Sequence, residues 1–180
     1  MLDVAERQLN AESSAAITMN AVGEAAGVSR ALVYAYFPDQ YRLLDALLAR
    51  HVRALSEAGL ERAAASGSAL ERLCACARLY LRHLLEYRLA LEVVMREPDV
   101  ARQLDGAVSA FRARIYRHLV RAVREELAMT AHEALIFVQL LAVIPAETAR
   151  LALDGKLQPD EADELVERMV ATSFNALLPN

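Results

Sequence analysis

Apolar positions recur at helical spacing along nearly the whole chain, and signals for strands are almost absent. Leu2, Ala5, Leu9 and Ala16 give a first helix its inner face, and Ser13 and Ser14 loosen the chain before Ile17. Met19, Val22 and Ala26 mark a short second helix, which the Thr18 hydroxyl caps and Gly27 stops by supplying backbone freedom. Ser29 caps a third. That helix turns Val33 and Phe37 inward with Val28 as a staple, and places Arg30, Ala31, Tyr34 and Ala35 on the other side. Pro38 ends it, because the residue before a proline is pushed out of the helical region.

The pattern continues to the C-terminus. Asp39 caps a helix running through Leu43, Leu44, Leu47, Leu48, Val52 and Leu55 to Gly59, and residues 63–68 read as a loop. A long helix from Ala69 to Arg96 carries Leu73, Ala77, Tyr80, Leu84, Tyr87, Leu91 and Met95, and Glu97, Pro98 and Asp99 close it. A short helix over 99–104 precedes a longer one over 107–127 with Val108, Phe111, Ile115, Leu119 and Val123 inward. Thr130 begins a helix that is apolar almost all round from Ala134 to Ile144, which requires cover on both sides. Pro145 is expected to kink it, and Asp154 and Gly155 end it. Pro159 and Asp160 open the last helix, whose expected buried stripe is Ala162, Leu165, Val166, Met169, Val170, Ser173 and Leu177. The prediction is an all-α fold of about nine helices.

Thr18 to Phe37 therefore reads as a helix-turn-helix, in which the second helix lies in the DNA major groove with its first residues at base edges. The run AGVSRALVYAYFPD, preceded by TMNAVGEA and followed by YRLLDALLARH, resembles the DNA-binding domain of TetR-family transcriptional regulators. Gly27, Val28, Ser29, Tyr34, Tyr36, Phe37 and Pro38 sit where that family's pattern puts such residues. The resemblance implies a helix-turn-helix domain over residues 1–50 and a helical ligand-binding and dimerisation domain over 51–180. It also implies a homodimer that presents two reading helices to a palindromic double-stranded operator, about one DNA turn apart or a multiple of it.

Composition and charge refine this picture. Apolar residues make up 56% of the chain with only six Gly and five Pro, which fits an ordered helical protein. Cys74 and Cys76 are too few for a disulfide framework and point to different sides of a helix, so small apolar fillers in a reducing cytoplasm are expected. No basic start or long apolar run suggests a signal peptide, and the thirteen-residue stretch Ala134 to Ala146 suits a buried helix better than a membrane span. Residues 1–50 hold four Arg (7, 30, 42, 50) against six acids (3, 6, 12, 24, 39, 45), a net of −2. That balance is unusual for a DNA-binding head. TetR-like proteins usually carry a basic arm ahead of the first helix; none precedes it here, so either the true start lies upstream or the arm is gone, and Gln40 stands where the family often has Lys.

The expected DNA-contacting residues are Thr18, Ser29, Arg30, Ala31, Tyr34, Tyr36 and Gln40. Arg30, the only charge on the exposed face of the reading helix, suits a bidentate contact to guanine or a clamp on phosphate. Thr18 and Tyr36 match positions that touch phosphate, and Thr18 caps a helix besides. By the resemblance, the helix after residue 69 lines a cavity for a small, mostly apolar effector, with Tyr80, Leu84, Tyr87, Met95, Phe111, Ile115, Phe137 and Leu141 as walls. Ordinary core with phenols at its rim is the simpler alternative. Ile136, Leu140, Val143, Leu165, Met169, Val170 and Ser173 are the expected dimer contacts. The stripe Arg114, Arg117, Arg121 and Arg124 reads as a solvated face paired with Glu125 and Glu126, and His83 as a surface or rim residue. No HExxH, GxSxG, P-loop or GxGxxG occurs, so no enzyme, cofactor or metal is expected. The functional alternative is a helical binding or interaction protein whose DNA-binding head is degenerate.

Overall fold

Every element that the structure describes is a helix, because the apolar stripes recur at 3.6-residue spacing and the caps fall between them. A computed structural model describes residues 1–12, 17–104 and 106–179, so Ser13, Ser14 and Ala16 lie outside the described residues. The order is α1 Leu2–Glu12, α2 Met19–Ala25, α3 Arg30–Tyr36, α4 Gln40–Glu57, α5 Leu60–Ala65 and α6 Ala69–Tyr87. After these come α7 Ala90–Met95, α8 Pro98–Ala101, α9 Ala107–Leu127, α10 Ala131–Leu153 and α11 Pro159–Asn175. Among the described residues eleven helices stand where the sequence pattern predicts about nine. The expected loop over 63–68 begins as α5, and the single helix expected over 69–96 is broken at Arg88, whose φ is 56°.

Backbone contacts gather Met1–Arg53 with Leu89–Ala110 into one unit and Ala54–Arg88 with Phe111–Asn180 into a second. The sequence-based division put all of 51–180 in one domain, whereas residues 89–110 group with the N-terminal helices. In the first unit α1 packs on α2 and α7, and α2 packs on α3. Leu9, Val22, Val33, Leu43, Leu44 and Leu47 are fully buried there. Each such side chain removed from water contributes about 1.5–3 kcal/mol before the cost of ordering. A charged cluster ties α1 to α4. Arg50 pairs with Asp3 and, at 2.7 Å, with Glu6, whose second oxygen lies 3.1 Å from Nε2 of the buried His51. Burial pushes the Glu6 carboxyl above its ordinary pKa while the Arg50 guanidinium pulls it down.

In the second unit α6 is central, packing on α5, α10 and α11, and α10 packs on α11. Ser68 and Glu71 form a capping box at the start of α6, and Thr130 and Glu133 another at α10, each satisfying backbone N–H groups that the first turn leaves free. Arg78 reaches Asp163 at 3.0 Å and Glu167 at 3.2 Å, bridging α6 to α11. By length and composition alone α10 could cross a membrane. Within the unit it buries Ala134, Val138, Leu141, Pro145, Ala146 and Ala149, and it runs through Pro145 without ending. The buried stripe of α11 is Ala162, Val166, Val170 and Phe174. Phe174 was missed by the sequence pattern, and Leu177, expected in the stripe, lies past the helix end and is exposed.

Candidate nucleic-acid interface

α2 and α3 meet at a point where glycine fits. A Cβ on the buried Gly23 would stand 3.1 Å from Val33 Cγ2 and 3.3 Å from the Val28 carbonyl oxygen. The Val28 N–H donates to the Gly23 carbonyl at 3.0 Å, and Gly27 makes the turn with a φ of 66°. Val33 is the one side chain of α3 that is buried, and the other six face solvent. A seven-residue helix is thus pinned by a single valine and offers the rest of its surface outward.

Local capping fixes both helix starts. The Thr18 hydroxyl accepts from the Ala21 N–H and the Ser29 hydroxyl from the Leu32 N–H, each at 3.2 Å, and Asp39 accepts from the Arg42 N–H at 2.9 Å. Such a cap is worth about 1 kcal/mol. Because a hydroxyl that accepts still has a proton to donate, Thr18 and Ser29, both exposed, keep a donor for an anionic oxygen.

The charge on this surface is sparse. The Arg30 guanidinium lies over the Tyr34 ring, 5.3 Å from its centroid, a contact that restricts the rotamers of both side chains. Tyr36 is 66% exposed beside Phe37, with ring centroids 6.5 Å apart. Ala31 is exposed, and Gln40 is half-buried at the start of α4. All seven expected contact residues thus fall on or beside the α2–α3 pair. Of the other arginines in residues 1–50, Arg50 is engaged by Asp3 and Glu6, and Arg42 lies 3.7 Å from Asp45. Leu32, 42% exposed, was passed over by sequence reasoning, because an apolar residue on a helix is read as core by default.

In the second unit Leu84, Phe111, Ile115 and Leu141 are buried, and Tyr80, Tyr87 and Phe137 are half-buried. Met95 does not continue their stripe. The turn at Arg88 ends α6, and Met95 belongs to α7 of the first unit. His83, expected at a surface or rim, is buried and stacks on Tyr87, and its burial pushes its pKa down to about 4. Cys76 is buried with its thiol pushed up to about 12, and Cys74 is half-buried. Arg114 pairs with Glu61 and Arg121 with Glu125, so half of the arginine stripe is ion-paired as a solvated face would be. Among the described residues no group of three or more His, Cys, Asp or Glu could hold a metal.

Of the residues expected at a dimer interface, Ile136, Leu140, Val143 and Met169 are exposed, and Leu165 and Ser173 are half-buried. Val170 is a correction. It is fully buried in the second unit's own core, because α11 turns its 162, 166, 170, 174 face inward and Met169 outward.

Residues 1–47 match the family model described as bacterial regulatory proteins, tetR family. Among solved structures, a TetR-like transcriptional regulator from Rhodococcus sp. RHA1 superposes with a TM-score of 0.73 at 20% identity, over 97% of this chain and 93% of that one. PfmR, a TetR family transcriptional regulator from Thermus thermophilus, gives 0.72 at 15% identity over 97% and 96%. A protein of unknown function from Rhodococcus sp. RHA1 is 27% identical, with a TM-score of 0.70 over 99% and 93%. No curated protein sequence matches the chain. The matched segment contains α1 to α3 and the first part of α4, and the chain as a whole has the fold of TetR-like regulators.

Proposed function

We propose that this chain, built on the fold of TetR-family transcriptional regulators, is a homodimeric cytoplasmic repressor that binds a palindromic operator and is released by a small, mostly apolar effector. The observation that carries the proposal is the α3 surface, six of seven side chains facing out, with Arg30 stacked on Tyr34, together with the exposed Thr18 and Ser29 hydroxyls that cap α2 and α3. Arg30 reads a base edge, and the hydroxyls of Thr18, Ser29 and Tyr36 hold the register on phosphates.

The exposed apolar residues of α10 and α11 support dimerisation. Leu140 is 63% and Val143 59% exposed, on the face that also holds Ile136. Two such helix pairs bury these side chains in a four-helix bundle with twofold symmetry. The effector acts by population shift: it binds best when α4 is tilted, and that tilt separates the two reading heads. The net charge of −2 over residues 1–50 supports a second reading, a helical interaction protein whose DNA-binding head is degenerate.

Selection from a random duplex library, repeated with Arg30→Ala, tests the proposal. Enrichment of a palindrome by the parent chain and its loss in the variant is the expected result. Failure of the parent to enrich any sequence favours the second reading.

A further inference from the structure

The outward face of α3 is chemically narrow. It carries one guanidinium, two phenols, Leu32, Ala31 and Ala35, and no amide, carboxylate, ammonium or aliphatic hydroxyl side chain. At about 100° of rotation per residue, Ala31 and Ala35 sit opposite the buried Val33, with Leu32 beside them on one side and Tyr34 and Arg30 on the other. The two alanines let the helix backbone approach a groove floor closely. Hydrogen-bonded readout from this face is restricted to Arg30 and the two phenols. The central arc of the face offers only methyl and isobutyl groups, and Leu32, 42% exposed, is not taken up by the core.

The major groove presents one apolar group on a base edge, the methyl on C5 of a pyrimidine. We propose that Leu32, with Ala31 and Ala35, forms an apolar patch that reads the C5-methyl of a pyrimidine in the half-site. This rests on the DNA-binding function proposed above. Thymine and 5-methylcytosine both carry the methyl.

The test uses the full chain and the duplex it enriches from a random library. Each thymine of one half-site is replaced in turn by deoxyuridine, which removes the methyl and leaves the hydrogen-bonding pattern intact. In a second arm each cytosine is replaced by 5-methylcytosine. Loss of about fourfold in affinity per contacted methyl is expected for the parent chain. A response to deoxyuridine identifies thymine as the source, and a gain only on cytosine methylation identifies 5-methylcytosine. Leu32→Ala, an exposed position whose replacement opens no core, is expected to bind methylated and unmethylated duplexes alike. An operator bound equally well in every arm overturns the inference, as does a Leu32→Ala variant that keeps the full methyl preference. A chain that binds no duplex at all overturns the proposed function along with it.

Discussion

His83 stacks on Tyr87 one turn further along α6, with ring centroids 4.7 Å apart and planes inclined by 29°. Burial lowers the His83 pKa from 6.5 to about 4, since an imidazolium there would lose its hydration. A histidine whose folded pKa lies below its unfolded value binds fewer protons in the native state. Its contribution is therefore fully present above the unfolded value of 6.5 and is lost as the pH falls through that value towards 4. Denaturant unfolding at neutral and acid pH is expected to reveal up to about 3 kcal/mol lost to this group. His83→Phe should flatten that part of the profile, and an unchanged profile in the variant would refute the assignment.

Gly23 fixes the spacing of α2 and α3. A side chain there meets Val33 Cγ2 and the Val28 carbonyl within 3.3 Å, and the Val28 oxygen belongs to the backbone and cannot rotate away. Gly23→Leu is expected to cost about 1–3 kcal/mol of stability by overpacking. Thermal unfolding reads the loss, and the same variant should bind DNA poorly because α3 is displaced.

Few cations face the proposed groove, and Arg30 is the only one on α3. Arg30→Ala should cost about 1–3 kcal/mol of operator affinity. The plot of log affinity against log salt should have a slope shallower than about −5 for the dimer, because each contacted phosphate contributes close to one unit. Titrations across a range of salt concentrations check both, and a steep slope would show that unrecognised cations reach the DNA.

Leu140 and Val170 lie on neighbouring helices but face opposite ways, one 63% exposed and the other fully buried. Leu140→Glu is expected to give a folded monomer, measured by sedimentation. Val170→Ala should lower stability by about 1–3 kcal/mol through a core cavity and leave the oligomeric state unchanged. A Leu140→Glu protein that remains dimeric would remove this face from the proposed interface.

The helix starts and turns were legible in the sequence because their chemistry is local. Thr18, Ser29, Asp39 and Thr130 accept from backbone N–H groups three residues on, and Gly27 takes a positive φ, so each signal sits within a few positions of its effect. The outward facing of α3 was legible for a similar reason, since a single buried Val33 decides which way the whole helix faces.

Facing and grouping elsewhere needed the fold. Arg88 breaks an otherwise continuous helical pattern without any glycine or proline to announce it, and the segment after it joins the N-terminal unit. Periodicity alone gave the last helix a stripe wide enough to hold both Met169 and Val170, and it gave no reason to bury His83. By itself the sequence determined that the chain is all-α and where its capped helices begin, because hydrogen bonds to caps and side-chain spacing act along the chain, whereas the starts of α5 and α7 escaped it. Which apolar side chains are covered by their own unit, and which stay exposed, only the tertiary structure decided. That outcome depends on helices distant in sequence closing over one face and not the other.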